Sequence, residues 1–249
     1  TVKSGSTLDM TGSTLSAVQN ASFTMDKGAL TTVGNLVKAS SVTLAGADDT
    51  SKITLGNLGA TTNDYGLTLT ASGLKGGLSV GSLDVNAGYD INAVVAGVKG
   101  NTSIGTIGTT AKAKNITVDA QNVGGALTLG AITGTGAVTV KLDGTSGAVT
   151  LGAITGKTVN LDASNTISGV TTGAANTYTV NATDSATIAV SSLKASTVNI
   201  NANDTATTSV VTGLTNSTAL TVALTGGIDV DTINITTATA STSVVVTGD

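Results

Sequence analysis

The charged side chains are restricted to two types: fifteen acids, all Asp, and eleven bases, all Lys. Glu, Arg, His and Cys do not occur. The usual general base, thiol nucleophile and soft metal ligand are therefore absent. Carboxylates in pairs could still act on glycosidic bonds. The candidate pairs are Asp48 with Asp49 and Asp229 with Asp231, the latter two residues apart in an alternating segment and so on one face of a strand. Sugar-cleaving sites on repetitive β scaffolds add Arg, His or aromatic platforms, and this composition, with 2% aromatics, offers almost none. The expectation is a chain that is not an enzyme. Calcium suits the donor set better, because Asp, Asn, Thr and backbone carbonyls are hard oxygen ligands. Candidate calcium ligands are Asp48, Asp49, Asp184, Asp204 (beside Asn203), Asp229 and Asp231. Against that reading, Asp and Asn are common turn formers, and no segment matches the glycine- and aspartate-rich nonapeptide that wraps calcium in RTX repeats.

The elements that would position these residues follow from the rest of the alphabet. Hydrophobic residues make up 40% of the 249, yet Trp and Pro are absent and Phe occurs once. The apolar content is Ala, Val, Leu and Ile, which suits a thin, elongated core better than a thick one built on large rings. Thr and Val favour strands, while Gly, Asn and Asp favour turns. The good helix formers Glu and Arg are missing. Net charge is −4 with a pI near 4.6, so nothing here neutralises a nucleic-acid backbone. No run of about 18 apolar residues is present to cross a membrane as a helix. The first residues lack a signal-peptide pattern and an initiator Met, which reads as an internal piece of a longer protein. The Lys residues fall singly, as at Lys38, Lys75, Lys99, Lys141, Lys157 and Lys194, and read as solubilising charges that blunt sheet edges.

Two repeats set the organisation. LTLGAITG at Leu127 to Gly134 returns as VTLGAITG at Val149 to Gly156, with weaker relatives at Ile53 to Gly59 and Leu78 to Ala87. TVNLDASNT, YTVNATDS and TVNINANDT, beginning at Thr158, Tyr178 and Thr197, share an alternating strand followed by Asn or Asp and Ala. In TVNLDA, Val159 and Leu161 point one way and Thr158, Asn160 and Asp162 the other. Stacked coils would then place Val on Val and Leu on Leu. Gly and Asn would turn the corners at positive φ, and corner Asn side chains would form hydrogen-bonded ladders. The expected fold is all-β, a right-handed parallel β-helix or β-solenoid with rungs of about 20 residues. It would run as one continuous segment over 1–249, with a less regular part over 1–50. The alternative is a tandem pair of β-sandwich domains. Thr-rich strands such as LTLG and VTVK suggest a flat hydroxyl array of the ice-binding kind, but LSVG and VNIN break its register.

In TVNLDASN, TVNINANDTAT and the closing STSVVVTGD, the sequence resembles the central β-rich region of type I-secreted, RTX-associated surface-layer proteins of Gram-negative bacteria. The surface array proteins of Campylobacter and the Caulobacter surface-layer protein are of this kind. The resemblance implies an extracellular structural segment that self-assembles into a lattice on the bacterial cell surface, assisted by Ca²⁺. It implies partners that are other copies of itself, and lipopolysaccharide reached through domains not in this chain. Autotransporter passengers and filamentous adhesins share the composition. They would make the chain a β-helical stalk that binds a host or glycan ligand.

Overall fold

The computed structural model describes residues 1–249 apart from 28, 47–49, 111, 165–166, 172–173, 184–186, 204–208, 215–218, 226–231, 236–242 and 249. Beyond residue 164 it describes the surroundings of side chains only at 175–181, 195–199 and 201. Among the described residues there are strands and turns and no helix. Every strand pairing is parallel, from the Val2–Met25 bridge to Leu224 beside Gly248. A tandem sandwich, antiparallel by construction, cannot have this topology. The chain is a β-solenoid whose coils stack at roughly 22-residue spacing.

Each coil visits up to three faces. Face A takes the longer strands, such as Leu67–Ser72, Ile91–Val94, Ile116–Asp119, Ala137–Lys141 and Thr158–Ala163. Face B takes Lys52–Leu55, Gly77–Val80, Thr102–Ile104, Leu127–Leu129 and Val149–Leu151. Face C has only two-residue strands, among them Leu58–Gly59, Leu83–Asp84, Ile132–Thr133 and Ile154–Thr155, joined by single bridges through Leu36 and Ile107. The octapeptide repeat maps onto this plan. Its LTL or VTL is a face-B strand, its Gly turns the corner, and its Ile-Thr is a face-C strand, with both halves in register from one copy to the next.

Period-2 alternation makes the core. On face A, Leu67, Ile91, Ile116, Val138, Val159, Tyr178 and Val198 stand one above another, all buried. On face B, Val33, Leu55, Val80, Ile104, Leu129 and Leu151 do the same. Burying each such aliphatic side chain is worth about 1.5–3 kcal/mol against an exposed one. The same row recurs on every coil, so the core is thin but long.

The corners are turned by two different devices. Between faces A and B, Gly97, Asn122 and Gly144 adopt φ of 72°, 57° and 68°, the left-handed conformation expected of Gly and Asn. Between faces B and C, Gly105, Gly130 and Gly152 do not. There the requirement is space: a Cβ on Gly130 would sit 2.7 Å from the backbone carbon of Gly105, and one on Gly152 2.7 Å from the Ala131 nitrogen.

The expected rung of about 20 residues is met in the later coils and in the pairing of Asn20 with Ser41, 21 residues apart, and is exceeded in between. Asp162 and Asn181 are 19 residues apart and Asn181 and Asn201 are 20, whereas Asp90 and Asn115 are 25 apart and Lys38 and Tyr65 are 27. The difference lies largely in one connection. The segment from face C back to face A occupies 60–66, 85–90 and 108–115 in three successive coils, then shrinks to 134–136 and 156–157.

Candidate functional site

The six aspartates singled out as calcium ligands, Asp48, Asp49, Asp184, Asp204, Asp229 and Asp231, all lie outside the described residues. Among the described residues no three His, Cys, Asp or Glu side chains come together as a metal site. The acidic residues that are described sit elsewhere, two of them, Asp119 and Asp162, on the outer surface of face A. There Asp119, Lys141, Asp162, Asn181 and Asn201 form one column, each in register with the next. Asn181 Nδ2 donates to Asp162 Oδ1 at 2.5 Å, and Asn201 Nδ2 donates to Asn181 Oδ1 at 2.8 Å. These bonds tie three coils together, but they run along the strands of face A, not at the corners where an Asn ladder was expected, and their first member is Asp162. Asp143, one turn beyond Lys141, has its carboxyl raised above the ordinary range, first by partial burial and then by the charges of Asp162 and Asp119, with Lys141 opposing.

Face B presents a different surface. Its outward positions are Thr32, Thr54, Ser79, Ser103, Thr128 and Thr150, one hydroxyl per coil in single file. The corresponding face-A column runs Thr68, Asn92, Thr117, Thr139, Asn160, Thr179 and Asn199, so amides interrupt its hydroxyls.

At the start of the rod, Thr7–Thr14 pairs with Leu30–Asn35 along one edge, and its other edge carries no strand among the described residues. Beside it a cavity of about 500 Å³ opens between the two faces, lined by Val2, Leu8, Phe23, Ser6, Thr7 and Ser22 among others. Val2, Leu8 and Phe23 are half-buried there.

The corner between faces C and A holds residues that linear reading left scattered. The position two before the first inward residue of face A is occupied in successive coils by Tyr65, Tyr89, Lys114, Gly136 and Lys157, with Lys38 beside Tyr65 on the coil before. Tyr65 donates its hydroxyl to the Lys38 carbonyl at 2.7 Å, and the Lys114 N–H bonds the Tyr89 carbonyl at 2.7 Å. The adjacent position carries Asp90 and Asn115. Asp90 Oδ1 accepts from both the backbone N–H and Nδ2 of Asn115 at 3.0 Å, and Asn115 Oδ1 accepts from the Ala137 N–H at 3.0 Å. Asp64 Oδ1 accepts from Asn86 Nδ2 at 2.8 Å. Lys112 and Lys114 are exposed, and Tyr65 and Tyr89 are partly buried, Tyr89 against the hydrophobic core. Tyr178, by contrast, is an inward face-A residue and only 1% exposed. The signal for the corner was in the sequence: NDYGLTL and GYDINAV both place Tyr two residues before the first apolar residue of an alternating strand.

No protein-family model, curated protein or solved structure matches this chain.

Proposed function

We propose that this chain is a structural, non-enzymatic segment of an extracellular lattice on a bacterial cell surface, built by packing rigid β coils against further copies. The observation that supports the reading is face B, where Thr32, Thr54, Ser79, Ser103, Thr128 and Thr150 stand in single file, a surface of small side chains that lets rods approach closely side by side. Calcium at Asp-rich turns is the bridging component of the proposal, resting on ligand chemistry alone. The test is light scattering and negative-stain microscopy during a Ca²⁺ titration against chelator. Ordered arrays that dissolve on chelation are expected, and a monodisperse monomer in both conditions overturns the proposal.

The second reading, a stalk that binds a glycan, is favoured by one specific feature: the tyrosine-bearing corner between faces C and A.

A further inference from the structure

We propose that the corner between faces C and A is a binding strip for an acidic glycan, with Tyr65 and Tyr89 as the sugar platform and Lys38, Lys114 and Lys157 as the contacts for its acid groups. This goes beyond the assembly reading and stands or falls separately from it.

Four observations converge on this corner. The solenoid lengthens its coils here, over 60–66, 85–90 and 108–115, and insertions in solenoids map to loops on one face that is often the binding face. The chain has three Tyr and one Phe, and two of those tyrosines occupy the same position on adjacent coils, each partly exposed, with Tyr89 also packing against the core. Adjacent coils are about 4.8 Å apart, so the two residues are neighbours along the rod. Lys114 follows them in the same column and Lys38 lies beside Tyr65 on the coil before, with exposed Lys112 on the third of the lengthened connections and Lys157 two coils beyond Lys114. Finally, this corner is not optimised as packing. Lys112 holds φ at 59°, a conformation uncommon for a side-chain-bearing residue. Asn63 and Asp84, 1% and 8% exposed, each keep a buried Oδ1 with no hydrogen-bond partner.

The chemistry narrows the ligand. Backbone pairing is not on offer, because each coil here is already hydrogen-bonded to its neighbours through Leu67, Ile91 and Lys114 N–H groups. A peptide that adds as a β-strand therefore has no edge to join. The apolar residues of the connections, Val85, Ala113 and Ala39, are buried and leave no apolar groove for a helix. What remains accessible is ring surface, ammonium groups and amide or carboxylate oxygens. Pyranose rings stack their C–H faces on aromatic rings and use their hydroxyls on Asp and Asn. Asp90 and Asp64 are each held by an Asn, which fixes them as acceptors in place. The lysines in line with the rings select for acid groups on the sugar. Spacing along the axis suits an extended chain lying parallel to the rod.

The chain lacks Trp, so its intrinsic fluorescence reports tyrosine directly. The experiment titrates the protein with uronate-, sialate- and sulfate-bearing oligosaccharides, and with a neutral glucose oligomer of matched length. Fluorescence and calorimetry follow binding at low and physiological salt. We expect saturable binding of at least one acidic oligosaccharide and at least tenfold weaker binding of the neutral one. The double variant Tyr65→Ala with Tyr89→Ala should lose at least tenfold, and Tyr65→Phe with Tyr89→Phe should lose much less. Lys114→Gln should weaken binding and flatten its salt dependence. Circular dichroism melts establish that each variant is folded. Failure of every acidic oligosaccharide to bind, equal binding of the neutral one, or unchanged affinity in the folded double-Ala variant overturns the proposal.

Discussion

Thr102 offers the sharpest test of the packing account. It occupies an inward position on face B, in register with Leu78 in one neighbouring coil and Leu127 in the other. It is 1% exposed, and its Oγ1 has no hydrogen-bond partner. A buried hydroxyl without a partner costs about 1–3 kcal/mol. Valine has the same branched shape, so Thr102→Val removes the unpaired oxygen without opening a cavity or crowding either leucine. Stability should rise by about 1–3 kcal/mol, and at about 2–4 °C per kcal/mol for a chain of this length the thermal midpoint rises by several degrees. Thr102→Ser is the control. It keeps the hydroxyl and removes the buried methyl, and should cost about 1 kcal/mol. Differential scanning calorimetry with far-ultraviolet circular dichroism reads both. A Val variant that melts at or below the parent, or a Ser variant that matches it, would refute the placement of this residue in the core row.

The same reasoning extends to other positions. Tyr178 stands in the face-A row with a buried hydroxyl that has no partner, and burial pushes its pKa well up; Tyr178→Phe should therefore raise the midpoint measured by calorimetry, by up to about 3 kcal/mol equivalent. Gly130→Ala puts a methyl 2.7 Å from the backbone of the coil before it and should cost about 1–3 kcal/mol in urea melts. Asp143 has a folded-state pKa raised above its unfolded value, so its contribution to stability is present in acid and lost as pH rises through the folded value. Asp143→Asn should accordingly stabilise the fold at neutral pH and make little difference below the ordinary carboxylate range, as read by melts at the two pH values.

Much of the architecture was legible because alternation is a local signal. Val159 and Leu161 against Asn160 and Asp162 fix which way a strand faces, and the 22-residue return of LTLGAITG fixes what stacks on what. Face C was not legible, since two residues such as Ile132 and Thr133 are too few to show a period. The rung length drifted for a related reason: the residues added at 60–66, 85–90 and 108–115 have no alternation to mark them as insertions. The lysines at 114 and 157 look isolated in the sequence because those insertions hide their common place, and only the register of the face-A strands reveals it. Corner glycines carried two meanings that composition cannot separate. Gly97 supplies backbone freedom, while Gly130 supplies room.

The central claim, that this rod exists to pack against its own kind, is tested most directly by mass and morphology together. Light scattering and negative-stain microscopy on the same sample, with Ca²⁺ added and then chelated, should give ordered sheets or end-joined rods that disperse on chelation. A single species of monomer mass at every calcium concentration, with no arrays on the grid, would contradict it.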